Sequence, residues 1–356
     1  MNNIVTNLII SFVLLITINV AAQDYYNVPC NDKNIIVEGS NYVSIEDNEL
    51  VAHRHNQKVY ENTTKENLFN PLKARTCSGI TLNFKTKSPT VKVRFKIIEG
   101  LDKAPVFGVF QDDVFDKNKQ FKYIPNNIVT IDISSKKSGK HVTYSITFPL
   151  KTDVHFLGLE LEENHNLEPL KRETRKTYVA FGDSISHGTG QQTTQETFPF
   201  ILAKKLNYEL FNTAVGGSKT SEVMAEMIRD DFKHIDMMTV LIGTNDFNGE
   251  GVGVEALKKR YENILNIIRE THKETKIYCI VSLATKWKTS KKTNLPIELF
   301  IAAITEIIKE RQQKGDDNIY IIEGDKLTTI EDLKDNVHLS VAGAKSFAEE
   351  LSKIIE

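Results

Sequence analysis

Cysteine is scarce in this chain, with three residues among 356. There is no CxxC pair and no Cys/His cluster, so neither a disulfide-built scaffold nor a structural zinc site is expected. An excess of one charge is also missing. Lysine and arginine (45) nearly balance aspartate and glutamate (47), and a net charge of -2 leaves no electrostatic footprint for nucleic acid. Tryptophan occurs once, at Trp287. The apolar run Ile9–Val20 falls short of the roughly 20 residues that span a bilayer. What remains is an ordinary globular composition, 40% apolar and 26% charged, which excludes wholesale disorder. The length suits about two domains.

The first 22 residues differ from the rest. They contain no Asp, Glu, Lys or Arg, and the apolar run ends in Ala21-Ala22 before Gln23-Asp24. That pattern reads as a signal peptide over residues 1–22, removed after export. Cys30 lies too far beyond Ala22 for a lipoprotein anchor. The mature chain is expected to be periplasmic or extracellular, soluble, and off the membrane after cleavage. Export permits a disulfide, and Cys30 and Cys77 could pair. Cys279, inside KIYCIVSL, reads as a small core residue.

From about residue 34 to 163 apolar residues recur with period two. Ile80, Leu82 and Phe84 alternate with Thr81, Asn83 and Lys85. Val91, Val93, Phe95 and Ile97 alternate with Lys92, Arg94 and Lys96, and HVTYSITF repeats the theme. One wet and one dry face per strand, with no intervening helix, predicts an antiparallel β-sandwich, jelly-roll-like, over residues 23–165. Asp112-Asp113 between apolar runs reads as a hairpin turn. Residues 166–174, polar and with Pro169, read as a linker.

Residues 175–356 follow another grammar. Tyr178–Gly182, Glu209–Val215, Asp236–Ile242, Lys276–Leu283 and Ile319–Glu323 read as strands. They alternate with helical patterns at Phe198–Leu206, Ser221–Phe232, Val254–His272, Pro296–Gln313 and Val341–Ile355. This predicts an α/β, flavodoxin-like, doubly wound five-stranded parallel sheet, whose functional loops lie at the carboxyl ends of its strands.

At those ends stand Gly182-Asp183-Ser184, then Asn212 with Gly216-Gly217, then Gly243-Thr244-Asn245-Asp246, and finally Asp335-Asn336-Val337-His338 before a helix capped by Ser340. A serine hydroxyl attacks an ester only if a neighbouring imidazole takes its proton. Ser184 at the mouth of the first strand is the candidate nucleophile and His338 the candidate base. Asp335, three residues earlier in the same loop, can reach the other ring nitrogen.

These four blocks, in this order, resemble the SGNH hydrolases, the GDSL-type esterases, over about residues 174–356. The resemblance assigns Ser184, His338 and Asp335 to a catalytic triad. It also implies an oxyanion hole made by the backbone N–H of Ser184, the backbone N–H of Gly217 and the side-chain amide of Asn245. Gly216 is the neighbour that competes with Gly217 for that role. The two-domain layout is similar to carbohydrate esterase family 2, which removes acetyl groups from polysaccharides. Some members of that group manage with a Ser/His dyad.

Other residues carry less. Asp183 and Asp246 read as loop-ordering groups, and His187 as a loop residue that can contact substrate. His53, His55, His141, His155 and His165 lack metal-like spacing. Thr285–Asn294 (TKWKTSKKTN) reads either as a catalytic rim, with Trp287 stacking on a sugar and lysines facing an acidic glycan, or as a solvated loop. The expected activity is hydrolysis of carbohydrate O-acetyl esters by a monomer, without metal or organic cofactor. The alternatives are a lipid acyl esterase, lysophospholipase or thioesterase, and a glycan-binding module with an inert hydrolase half.

Overall fold

The computed structural model describes residues 24–65, 68–137 and 139–355. The signal peptide expected over residues 1–22 lies outside the described residues. The period-two segments form two antiparallel sheets. One contains β1 (Tyr25–Pro29), β3 (Tyr42–Glu46), β4 (Glu49–His53), β6 (Thr90–Ile97), β9 (Ile128–Ser134) and β11 (Val154–Glu162), in the order β3-β4-β11-β6-β9 with β1 also on β11. The other contains β2 (Ile36–Glu38), β5 (Thr81–Thr86), β7 (Val106–Gln111), β8 (Val114–Gln120) and β10 (Val142–Thr147), in the order β2-β5-β10-β7-β8. Their dry faces meet in one core. Phe95 of the first sheet packs on Phe107 of the second at 4.6 Å between ring centroids. Each fully buried ring of that size contributes about 1.5–3 kcal/mol.

Asp112 and Asp113 connect β7 to β8 with φ of 48° and 63°. Two consecutive positive φ values make a type I′ turn, whose twist matches that of the strands it joins.

The expectation of strands without helices fails between β4 and β5. Two helices lie there, α1 (Gln57–Lys65) and α2 (Pro71–Arg75). Asn70 caps α2 by accepting the Leu72 N–H, and Pro71 follows at the first helical position. Val59, Leu68, Phe69 and Ala74 join the core of the C-terminal half instead of the sandwich. This segment of the β-rich half is therefore cemented onto its neighbour.

The C-terminal sheet is all parallel. Its strands are β12 (Lys176–Gly182), β13 (Tyr208–Asn212), β14 (Met237–Leu241), β15 (Lys276–Ile280) and β16 (Ile319–Ile322), in the order β13-β12-β14-β15-β16. Alternate residues of β12 face opposite ways. Val179 and Phe181 pack under α5 (Glu222–Asp231), α6 (Val254–Thr271) and α7 (Ile297–Gln313). Tyr178 and Ala180 pack under α4 (Phe198–Leu206) and α8 (Val341–Leu351), with the short α3 (Ser184–His187) between β12 and α4. The sheet is thus wound on both faces.

Cys30, Cys77 and Cys279 are buried free thiols, so the Cys30–Cys77 pair that the sequence allows is not formed. Among the described residues no helix is long and apolar enough to cross a membrane.

Candidate active site

Four strand ends converge on one crevice, as the winding of the sheet requires. β12 stops at Gly182, and Asp183 caps α3 by accepting the Ile185 N–H, so Ser184 opens the helix. Beyond β13, Val215–Ser218 form a turn closed by the Ser218 N–H on Val215 O. Gly217 sits at its third position with φ 85°, the type II geometry that needs glycine. Beyond β14, Asn245 begins a π-helical turn over Asn245–Glu250. His338 precedes α8, whose N-cap Ser340 accepts the Gly343 N–H. Gly190 lets its loop approach closely: a Cβ there would stand 2.1 Å from Leu339 O.

The Ser184 Oγ lies 2.8 Å from His338 Nε2, across 154 positions of sequence. The His338 Nδ1 lies 2.8 Å from Asp335 Oδ2. The other Asp335 oxygen accepts the N–H groups of Val337 and His338. Burial pushes the Asp335 carboxyl up, but those two N–H groups and the His338 ring outweigh it, and the pKa falls to about 2. A carboxylate ionised at working pH accepts a hydrogen bond from Nδ1–H and keeps the proton on that nitrogen. That leaves the Nε2 lone pair facing the serine hydroxyl, a tautomer assigned from this network.

The glycine pair is divided. The Gly216 N–H is buried and donates to His187 Nδ1 at 3.0 Å. No protein acceptor among the described residues engages the Ser184 or Gly217 N–H. The Asn245 Nδ2 donates to Ser218 O at 2.9 Å, with only a long contact of 3.4 Å to Asp183 Oδ2. Ser184, Gly217, Asn245 and His338 line one cavity of about 420 Å³, together with His187 and Trp287. Asp335 stands behind the His338 ring.

Residues 180–345 match the GDSL-like lipase/acylhydrolase family. That match lies wholly within the half that carries the parallel sheet. The fold over both halves is shared with solved structures of low identity. The salicylyl-acyltransferase SsfX3 from a tetracycline biosynthetic pathway has a TM-score of 0.79 at 19% identity, covering 92% of this chain and 95% of that one. A family two carbohydrate esterase from Clostridium thermocellum, in complex with cellohexaose, has a TM-score of 0.66 at 16% identity, covering 90% and 98%. A family two carbohydrate esterase from Cellvibrio japonicus has a TM-score of 0.67 at 14% identity, covering 94% and 98%. An uncharacterized protein of Mycoplasma pneumoniae is 29% identical over 115 residues, 30% of this chain and only 13% of the length of that relative.

His187, read from the sequence as a loop residue able to contact substrate, lines the cavity and also has a structural use. It is buried, and both ring nitrogens are occupied. Nδ1 accepts from Gly216, and Nε2 meets Thr76 Oγ1 at 2.9 Å. The Thr76 hydroxyl donates to Lys73 O, so it accepts the Nε2 proton. Burial, with the charge of Arg54 adding to it, holds the His187 pKa well below its usual 6.5. The ring is a neutral strut from the β-rich half to the turn that carries Gly217.

Trp287 is half-buried at the cavity wall. One face of its ring carries the Lys291 ammonium at 4.4 Å. Asp183 is fully enclosed. Burial pushes its carboxyl up, the Ile185 N–H lowers it in part, Asp246 raises it again, and the pKa reaches about 7. Asp246 accepts the N–H and hydroxyl of Thr220 and pairs with Arg260.

Sequence reasoning missed what the β-rich half brings. Arg54 is buried and donates to Thr76 O at 2.6 Å, Asn212 O at 2.7 Å and Ala214 O at 2.9 Å. Burial lowers its pKa to about 10, so it stays charged at neutral pH. It clamps the end of β13 just before the glycine turn. The signal was the polar Arg54-His55 pair shortly after the apolar LVA of β4. Lys73, Lys103 and Lys151, also from that half, line the cavity, and nothing local in the sequence marks them.

Proposed function

We propose that this chain is a carbohydrate O-acetylesterase working through Ser184, His338 and Asp335. His338 Nε2 takes the Ser184 proton as Oγ attacks the acetyl carbonyl. The carbonyl oxygen gathers negative charge and accepts hydrogen bonds from the Ser184 N–H, the Gly217 N–H and the Asn245 amide. The C–O bond to the sugar breaks, and His338 returns the proton to the leaving sugar oxygen. Water then attacks the acetyl-serine and gives a proton to His338; the bond between the acyl carbon and Ser184 Oγ breaks, His338 returns that proton to Oγ, and acetate leaves. Asp335 keeps the imidazole in the tautomer that can do this.

The observation that carries the reading is the pair of 2.8 Å contacts running Ser184–His338–Asp335 at the wall of an open cavity. Lysines beside the glycine turn make that cavity a poor home for a long acyl chain, which supports a short acyl group. The likeness to family two carbohydrate esterases supports a sugar as the leaving group. Export behind a residue 1–22 signal peptide, a residue 166–174 linker between two domains and a monomeric state complete the proposal.

Ser184→Ala and His338→Ala should each lower kcat on a short aryl acetate by at least about 10³-fold. Wild-type protein should release acetate from acetylated oligosaccharides and prefer acetyl to octanoyl esters. Full activity in either variant refutes the mechanism. Preference for octanoyl esters refutes the substrate class.

A further inference from the structure

The catalytic cavity holds an uncompensated positive charge that the hydrolysis of a neutral sugar acetate does not need. Lys73 on α2, Lys103 between β6 and β7, and Lys151 between β10 and β11 all line it. None of the three ammonium groups pairs with a carboxylate among the described residues. Some lysines elsewhere do so, as Lys96 does with Glu49 and Lys258 with Glu306. The Lys73 Nζ lies 3.8 Å from where a Cβ on Gly217 would stand, so its charge is at the turn proposed for the oxyanion. The Lys151 Nζ is fixed by donating to Gln191 O at 2.8 Å. Burial, with the charges of Lys334 and Lys103 adding to it, pulls the Lys151 pKa down, the response of an ammonium that lacks a counter-charge.

Acidic groups nearby do not offset this. Asp183 is the one carboxyl in the lining, and its raised pKa reduces its ionisation near neutral pH. Asp335 is engaged by His338 and two N–H groups. Glu196, whose field reaches Lys151, accepts the Gln192 and Thr193 N–H groups. The half-buried Lys73 and Lys151 and the exposed Lys103, on the wall of the cavity that holds the nucleophile, attract an anion, and the low-dielectric backing of the two half-buried groups strengthens the attraction.

We infer that the site selects esters of acidic sugars, in which a carboxylate or sulfate on the sugar sits against Lys73, Lys103 and Lys151 while the neighbouring acetyl group meets Ser184. This rests on the carbohydrate esterase reading and narrows it. It also makes the β-rich half part of substrate selection, since that half supplies all three lysines.

The test compares O-acetylated methyl glucuronoside, O-acetylated methyl glucoside 6-sulfate and O-acetylated methyl glucoside, which differ in the charged substituent. Wild-type kcat/KM should be about tenfold higher for at least one anionic ester than for the neutral one, the scale of a single charge contact in a partly wet cleft. A lead for the glucuronoside over the sulfate assigns a carboxylate, and the reverse assigns a sulfate. Raising ionic strength to about 0.5 M should shrink the preference, because the exposed ends of these side chains are screened. In the Lys73→Gln/Lys103→Gln double variant the anionic-to-neutral ratio should fall by about threefold or more. Lys151 is left in place because it also holds Gln191. Equal kcat/KM for all three esters overturns the inference and leaves carbohydrate ester hydrolysis standing. A salt-insensitive preference, or an unchanged ratio in the folded double variant, also overturns it. Hydrolysis of an octanoyl aryl ester with none of the three sugar acetates overturns the carbohydrate reading and the inference with it.

Discussion

Replacing His187 by phenylalanine keeps a ring in the space and removes its acceptor. The buried Gly216 N–H then has no partner, which costs about 1–3 kcal/mol. Thr76 loses less, because its hydroxyl still donates to Lys73 O. For a domain of this size the melting temperature should fall by roughly 2–4 °C per kcal/mol. If the Gly216 N–H turns to find another acceptor, the adjacent Gly217 N–H turns with it. The ceiling on the rate loss is then that of one missing oxyanion donor, about 10²–10³ in kcat. His187→Gln offers both an acceptor and a donor and should recover part of each loss. The pH dependence separates this from a packing defect. The folded state holds His187 neutral, whereas the unfolded chain protonates it below 6.5. The unfolded chain therefore binds one more proton in acid, and wild-type stability drops by about 1.4 kcal/mol per pH unit below that value on this account. The phenylalanine variant lacks that contribution, so its stability should fall less steeply with acid. Urea unfolding across pH 5–8, with kcat and KM for an aryl acetate, measures all of this. Wild-type stability, kcat and pH slope in His187→Phe would refute the strut.

Asp335→Asn should cost less than His338→Ala, about 10–10²-fold in kcat on the same ester, because its carboxylate is half exposed and water screens it. Its depressed pKa makes its stabilisation present above 3.8 and lost as pH falls through about 2, so thermal unfolding at pH 5 and 8 should give the same wild-type-to-variant difference. Asp183 has the opposite sign. The folded state keeps a proton up to about pH 7 that the unfolded chain releases near 3.8, so stability is lost as pH rises through that window. Asp183→Asn keeps the cap on α3, and urea unfolding should find the variant more stable than wild type at pH 8, on the order of a few kcal/mol, with the gap closing at pH 4. No gap at pH 8 would show that Asp183 ionises without cost.

Much of this molecule can be read in one dimension because its information is local and periodic. The alternation in TVKVRFKI becomes β6 with each apolar residue buried, and the spacing of Leu257, Tyr261, Ile264, Leu265 and Ile268 becomes the buried face of α6. The parallel winding follows from alternating strands and helices, and it brings residues 184 and 338 to one edge. The helices α1 and α2 escaped notice because they are short and sit inside a β-patterned stretch. Their apolar residues answer to a partner surface more than a hundred positions away.

The sequence by itself determined most of the elements, the parallel winding and the candidate nucleophile, base and acid. These follow from backbone periodicity and from motifs at strand ends. Only the tertiary structure decided which glycine N–H is free, that His187 braces a turn, that Arg54 locks β13, and that three lysines of one half line the cavity that holds the serine of the other. Each of these is a contact between distant segments, fixed by how the surfaces of the two halves pack together. No spacing along the chain encodes such a contact.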